Sequence, residues 1–182
     1  MSILEAKNIT KKFDVIVALD DLSLSVARNE VVGLIGPNGS GKTTFINLVA
    51  GFERASRGEL FFNGKRITGC QPHEISRLGI GRTFQEPRVF RKMTAIENVL
   101  VASLLGVNRH SLNKAEDLLR SVELFDARND YGGNLSYGQQ KLLELARVLM
   151  LDPELILLDE PTAGVNPVLI RKLLEYLRVL HD

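Results

Sequence analysis

The hydrophobic pattern divides the chain into a strand-rich first part and a more helical later part. In the segment 22–26, leucine and valine alternate with serine, a period of two that is typical of a strand with one buried face. Asn63–Gly64 lies between the short runs 59–62 and 65–67 and predicts a hairpin turn. The sequence therefore predicts an antiparallel β layer that extends to about Ile67.

A different pattern interrupts this β layer. Val31–Ile35 is a short apolar run, predicted to be a strand, that leads into a glycine-rich stretch and then into the helical pattern of residues 43–49. Strand, glycine-rich loop and helix in this order are typical of phosphate sites. Further along, residues 111–120 and 142–150 predict amphipathic helices, and Leu155–Leu158 predicts a buried strand.

Composition and charge narrow the class of protein. The 182 residues are 45% hydrophobic and carry a formal net charge of +1, so no overall positive field favours nucleic acid. The single cysteine, Cys70, excludes an internal disulfide and a cysteine-rich zinc site, which fits a reducing compartment. Glu5 and Lys7 interrupt the apolar stretch that a signal peptide needs, and no apolar run approaches the roughly 20 residues that cross a bilayer. A role in transport would therefore need a channel from another chain.

The glycine-rich stretch 36–43 reads Gly-Pro-Asn-Gly-Ser-Gly-Lys-Thr and matches the Walker A pattern at every fixed position. Its glycines allow phosphate oxygens to approach the backbone, so that several N–H groups converge on one anion. We expect Lys42 to contact the β- and γ-phosphates of ATP and the Thr43 hydroxyl to ligate Mg²⁺. A glycine-rich turn without a ligand is the alternative. The expected nucleotide-binding residues here are Gly36, Asn38, Gly39, Ser40, Gly41, Lys42, Thr43 and Thr44.

Two carboxylates, Asp159 and Glu160, follow the apolar run at Leu155–Leu158, as in a Walker B motif. Asp159 would hold the metal, directly or through water, and Glu160 would polarise the water that attacks the γ-phosphate. Acidic residues also follow many strands at surface loops, so this assignment depends on the Walker A loop in the same chain. The two motifs predict a P-loop ATPase, a class that includes kinases, motors and helicases as well as transporters.

A third motif narrows this class. Residues 134–140, Asn-Leu-Ser-Tyr-Gly-Gln-Gln, resemble the signature sequence of ABC ATPases. Ser136 is expected to cap the following helix, and Gly138 and the helix N-terminus to form a second anion site, with a plain helix cap as the alternative. The resemblance implies that two nucleotide domains pair head to tail around ATP, and that Ser136, Gly138 and Gln139 contact the nucleotide.

The resemblance extends over the whole chain. Phe13 lies where the family places an aromatic ring against adenine, and Gln85 lies at the Q-loop position, where it would sense the metal and the attacking water. The implied catalytic residues are Glu160, Gln85 and Lys42, and the implied metal ligands are Thr43, Gln85 and Asp159.

The implied fold is α/β, a P-loop NTPase of the ABC ATPase type. It comprises an ATP-binding β core with an antiparallel layer at residues 1–85, a helical signature subdomain at 86–150, and the Walker B strand, D-loop and a helix at 151–182. Phe90 and the basic residues of the segment 86–94 would contact a membrane subunit. A solvated loop with one buried aromatic ring is the alternative.

The segment 79–85, Tyr137 in the signature and the segment 160–167 are similar to the ATPase subunits of branched-chain amino acid importers. The ATPase of the lipopolysaccharide exporter and importers of urea or amides share much of this sequence and remain alternatives. The resemblance implies a cytoplasmic protein, peripheral on the inner face of the cell membrane. Its implied partners are a second ATPase subunit, transmembrane permease subunits and, indirectly, a solute-binding protein, with no nucleic acid. An ABC ATPase acting on nucleic acid or ribosomes would usually have tandem domains or a coiled-coil insertion, and residues 86–134 offer neither.

The C-terminal pattern departs from the family. A helical pattern over 169–180 runs to His181–Asp182, and no strand bearing a switch histidine follows. His181 comes too early, at a helix end, to take that role. We therefore expect a C-terminally truncated fold with weak or absent steady-state hydrolysis, and a nucleotide-binding module without turnover is the third functional alternative.

Overall fold

The computed structural model describes residues 2–103 and 107–160. The expected D-loop, the C-terminal helix and His181 lie outside the described residues. Within the chain, residues form two compact units that divide between Ile80 and Gly81. Among the described helices, none is long and apolar enough to cross a membrane.

The first unit is built on an antiparallel sheet of four strands: β1 (Ser2–Phe13), β2 (Ile16–Ala27), β3 (Arg57–Phe62) and β4 (Lys65–Arg66). Their order in the sheet is β2-β1-β3-β4. Leu4 of the central strand pairs with Val26 on one side and with Phe62 on the other. Asn63 has a φ of 48°, as the predicted Asn-Gly hairpin turn between β3 and β4 requires. The predicted β layer is therefore confirmed.

Two helices complete the first unit. Helix α1 (Lys42–Val49) confirms the helical pattern that follows the glycine-rich stretch, and α2 (Pro72–Arg77) begins with a proline at its first position. Leu4, Leu60 and Phe62 from the sheet are each 2% exposed, and Val49 of α1 is fully buried. Burial of each such side chain stabilises the fold by about 1.5–3 kcal/mol.

The prediction of a strand at Val31–Ile35 is wrong. The segment has no regular secondary structure, and Val31 and Ile35 are 79% and 98% exposed. No strand of the described ranges pairs with it, so its backbone has no ladder through which to satisfy its N–H and C=O groups as a strand. Apolar β-forming residues alone do not make a strand without a neighbour.

The second unit contains the predicted helices around one apolar core. Its elements are α3 (Ala95–Leu100), α4 (Arg109–Ser121), a 3₁₀ turn at Gly132–Asn134, α5 (Tyr137–Leu149) and β6 (Leu155–Leu157). The predicted apolar side of α5 is confirmed, since every member of it is buried: Leu142, Leu143, Leu145, Ala146, Leu149 and Met150.

Strand β6 pairs with β5 (Ile80–Arg82) in a separate sheet of two strands. The strand predicted at Leu155–Leu158 is thus confirmed over three of its four residues. The expectation that it is buried is wrong, because its three residues are only half-buried. A sheet of two strands covers each strand along one edge only.

Candidate functional site

The glycine-rich loop leads tightly into α1. Gly41 is the N-cap residue with a φ of 89°, and a Cβ built there would lie 2.5 Å from the Ala18 oxygen and 2.7 Å from Leu19 Cδ2. Gly39 has a φ of 80°, and the Ser40 N–H donates to the Pro37 oxygen at 3.2 Å. The loop therefore packs directly on β2. Its backbone conformation at Gly39 and Gly41 is unfavourable for any residue other than glycine.

The N-terminus of α1 has the features of an anion site. Its N-cap residue, Gly41, has no side chain that could cap it, and its first turn contains no acidic residue. The positive end of the helix dipole and the first-turn N–H groups therefore face no carboxylate from their own helix. Thr43 is exposed in this turn and Thr44 is half-buried.

Lys42 lies folded over the loop that precedes it. Its Nζ donates hydrogen bonds to the Gly36 oxygen at 2.8 Å and to the Pro37 oxygen at 2.9 Å. Asn38 and Ser40 are exposed on the same loop. The ammonium group is thus held against the start of the loop by two neutral carbonyl oxygens, and an anionic ligand would compete with them for it.

Phe13 lies at the end of β1, opposite Ile16 in the hairpin to β2. Its ring is 42% exposed, and Lys11 Nζ lies 4.5 Å from the ring centroid. The same strand β2 also carries Ala18 and Leu19, which contact the glycine loop. The partly exposed Phe13 ring therefore lies on the same β1–β2 hairpin that the glycine-rich loop contacts.

The acidic pair of the second unit is held by two different partners. Asp159 is 3% exposed and its Oδ2 lies 3.3 Å from the Arg82 guanidinium. Glu160 Oε2 accepts a hydrogen bond of 3.0 Å from Gln85 Nε2. The structure thus brings together Gln85 and Glu160, which are far apart in sequence. Burial lowers the pKa of Arg82, and the Asp159 carboxylate opposes that shift.

Sequence reasoning missed the role of Arg82. The residue lies three positions before Gln85, at the end of β5, and only the pairing of β5 with β6 places it beside Asp159. A buried carboxylate needs a charged or hydrogen-bonding partner. The sequence signal that could have identified Arg82 is a basic residue next to a short apolar segment.

The signature segment forms the predicted helix cap. Ser136 Oγ accepts from the Gln139 N–H at 3.3 Å, and Gln139 Oε1 accepts from the Ser136 N–H at 2.9 Å, a capping box at the start of α5. Gly138 is buried in the first turn. The expected cap at Ser136 is confirmed, and Gln139 completes it through its side chain.

A buried carboxylate that the sequence analysis did not single out lies further along α5. Glu144 is 1% exposed and accepts hydrogen bonds from the Phe84 N–H at 3.2 Å and the Arg88 N–H at 2.9 Å. Burial raises the pKa of Glu144, and these two hydrogen bonds oppose that shift. The signal for it was an acidic residue between Leu143 and Leu145 on a helix with an apolar stripe.

The segment 86–94 is organised by a second buried polar side chain, Asn98, which sequence reasoning also missed. Its Oδ1 accepts from the Phe90 N–H at 2.7 Å. Its Nδ2 donates to the oxygens of Phe90, Met93 and Thr94 at 2.9–3.2 Å. The Phe90 ring itself is 47% exposed. The backbone of this segment is therefore fixed while its aromatic side chain stays accessible.

Comparison with known proteins identifies the family that these features fit. A sequence model described as ABC transporter matches residues 19–163. A probable branched-chain amino acid transport ATP-binding protein, LivG of Archaeoglobus fulgidus, is 46% identical over 96% of this chain and 74% of its own length. The lipopolysaccharide export system ATP-binding protein LptB of Acidithiobacillus ferridurans is 40% identical over 99% of this chain and 74% of its own length.

Solved structures agree with the sequence comparison. The ADP conformation of an ATP-binding cassette of an ABC transporter superposes with a TM-score of 0.90 at 37% identity. The alignment covers 100% of this chain and 77% of that one. In both sequence and fold, this chain is therefore similar to ATP-binding proteins of ABC transporters.

Proposed function

This chain belongs to the ABC transporter family, and we propose that it is the ATP-hydrolysing subunit that powers an importer of branched-chain amino acids. The observation that carries the ATPase assignment is the Lys42 ammonium, held over a glycine loop at an uncapped helix N-terminus. The 46% identity to LivG supports the solute class. Lipopolysaccharide export is the second candidate, because the 40% identity to LptB extends over nearly the whole chain.

Nucleotide binding in this proposal uses features of the first unit. The exposed Phe13 ring stacks on adenine, and the N–H groups of Gly36 and of residues 38–44 surround the phosphates. Lys42 exchanges its two carbonyl acceptors for phosphate oxygens. Because phosphate oxygens carry negative charge and carbonyl oxygens do not, the exchange adds a Coulombic attraction to the ammonium and favours the bound state.

The residues proposed to activate water, Gln85 and Glu160, belong to the second unit. Glu160 accepts a proton from the water that attacks the γ-phosphorus, and the bond from that phosphorus to the bridging oxygen of ADP breaks. Gln85 holds the Glu160 carboxylate through the 3.0 Å hydrogen bond and orients the water. Lys42 offsets negative charge on the phosphates as the bond breaks.

Thr43, Asp159 and Gln85 are the residues proposed to hold Mg²⁺. They offer a hydroxyl, a carboxylate and an amide oxygen, the hard oxygen donors that this ion prefers, so the donor set fits it. When bound, the ion neutralises phosphate charge. The ion pair with Arg82 fixes the orientation of the Asp159 carboxylate.

We propose further that the chain works with a second ATPase subunit. The γ-phosphate of the ATP bound to that second subunit would contact Ser136, Gly138 and Gln139 at the start of α5. Transmembrane permease subunits would contact the segment 86–94 through Phe90, whose ring is exposed on a backbone fixed by Asn98. The protein would then lie in the cytoplasm on the inner face of the membrane, and a solute-binding protein would act on it only through the permease.

A nucleotide titration tests the binding site. Mg-ATP at about a hundred times its dissociation constant should stabilise the native state by about 2.7 kcal/mol in urea unfolding, by mass action. Lys42→Ala should abolish this gain, whereas Lys65→Ala, at an exposed lysine of β4, should retain it. No gain in the wild-type chain would contradict the ATP-binding assignment, and an equal gain in Lys42→Ala would contradict the role of that lysine.

Phosphate release from Mg-ATP separates an ATPase from a binding module without turnover.

To identify the transported solute, the chain should be reconstituted in vesicles with its permease subunits and solute-binding protein. ATP-dependent uptake of leucine is the expected result. Hydrolysis stimulated by lipopolysaccharide, with no leucine uptake, would favour the export assignment instead.

A further inference from the structure

One polar stripe of α5 binds the backbone of two other segments. Tyr137, Lys141, Glu144 and Arg147 recur at spacings of three and four residues and therefore share one side of the helix. Tyr137 Oη donates to the Gln85 oxygen at 3.0 Å, and Lys141 Nζ donates to the Glu160 oxygen at 3.0 Å. The stripe thus contacts both residues to which the proposed function assigns water activation.

Glu144 is the central contact of this stripe. Its Oε2 accepts from the Phe84 N–H and its Oε1 from the Arg88 N–H, so the two bonds bracket Gln85. Arg147 donates to the Arg88 oxygen and lies 3.9 Å from the Glu144 carboxylate. The segment 84–88 is therefore fixed to the helix at both ends.

The position is costly for a purely structural residue. Glu144 lies between two core leucines of α5 and is 1% exposed, and a buried carboxylate stabilises a fold less than a well-packed apolar side chain does. Each of its two oxygens accepts from one backbone N–H, so the ionised carboxyl group satisfies both donors at once. A glutamine has one such oxygen and turns its NH₂ toward the other N–H.

We propose that Glu144 is a positioning residue for hydrolysis, which holds the segment 84–88 so that the Gln85 amide stays on the Glu160 carboxylate. The proposal rests on the proposed roles of Gln85 and Glu160. Glu144 does not touch the nucleotide in this account. It acts through the backbone on either side of Gln85.

The test compares Glu144→Gln with Glu116→Gln, a control at a helix-surface glutamate of α4. Glu144→Gln should lower kcat for ATP hydrolysis by about tenfold to a hundredfold, the effect of small misplacements of catalytic groups, while the dissociation constant for Mg-ATP stays within twofold. In a Gln85→Ala background the same substitution should change kcat by less than twofold, because Glu144 acts through Gln85. An unchanged kcat, or equal losses in both backgrounds, would overturn the proposal.

A readout independent of turnover is the Gln85 side-chain amide resonance, with amide hydrogen exchange at Phe84 and Arg88. Glu144→Gln should shift that resonance and speed exchange at both amides, and Glu116→Gln should change neither. Unchanged signals would refute the positioning role whatever the activity. If Gln85→Ala and Glu160→Gln both leave kcat unchanged while these signals move as expected, the proposed catalytic roles fail and the structural link stands.

Tyr137→Phe is a milder second variant that removes only the hydrogen bond to the Gln85 oxygen. It keeps the proposal testable if Glu144→Gln does not fold. A smaller fall in kcat and a shift of the same Gln85 resonance are expected. No movement of that resonance in Tyr137→Phe would count against control of Gln85 by the α5 stripe.

Discussion

Gly41→Ala perturbs the contact between the glycine loop and β2. An L-residue at a φ of 89° costs about 1–2 kcal/mol. The new Cβ would also lie 2.5 Å from the Ala18 oxygen and 2.7 Å from Leu19 Cδ2. Relief of such overpacking typically costs a further 1–3 kcal/mol or so, which gives a total loss of about 2–5 kcal/mol in the free energy of unfolding.

Two glycines of the same region separate the contributions. Gly39→Ala places a side chain at a φ of 80° but meets no atom of the described residues within 4 Å, so only the conformational cost of about 1–2 kcal/mol is expected. Gly33→Ala has no positive φ and, in the part of the chain that the structure describes, no neighbour within 4 Å, so its effect should stay within about 0.5 kcal/mol. The expected order of destabilisation is therefore Gly41, then Gly39, then Gly33.

Urea unfolding of the three variants, without and with Mg-ATP, measures both stability and nucleotide binding. Gly41→Ala should also lose most of the stabilisation by Mg-ATP, because the loop must shift to accommodate the methyl group. Gly33→Ala should keep that stabilisation. If Gly41→Ala is no more destabilising than Gly39→Ala, the close approach of the loop to β2 is refuted.

Three further changes test other parts of the molecule. Glu160→Gln should leave stabilisation by Mg-ATP intact and remove phosphate release; turnover comparable to that of the wild type would contradict its assignment as the base. Asn98→Ala should lower the free energy of unfolding by at least about 2 kcal/mol, because it leaves buried backbone groups unsatisfied, whereas Asn113→Ala on the exposed face of α4 should change it little. Burial raises the pKa of Glu144 in the folded state, so the unfolded chain loses this proton at a lower pH than the folded chain does. The free energy of unfolding, relative to that of Glu144→Gln, should therefore fall in the pH window between about 4.5 and the folded-state pKa of Glu144. Urea unfolding on either side of the window measures this difference, and a rise with pH would contradict the sign.

Features that depend on neighbouring residues were predictable from the sequence. The Asn63–Gly64 turn, the Ser136 cap and the apolar stripe of α5 each arise from residues a few positions apart, where backbone geometry fixes which groups meet. The glycine-rich loop that leads into α1 was predictable for the same reason, since its glycines and the start of the helix lie within eight consecutive residues.

Contacts between distant segments were decided only by tertiary structure. Glu144 meets the amides of the segment 84–88 across about 60 positions, and Asp159 meets Arg82 across 77. Hydrophobic periodicity identifies the buried side of a helix, but it does not reveal which backbone groups of another segment need an acceptor there. The same limit explains Val31–Ile35, whose apolar residues predict a strand although a strand forms only where another supplies its hydrogen bonds. The sequence by itself thus determined the local chemistry and the family, and the packing of remote segments decided which buried polar groups hold the candidate catalytic residues in place.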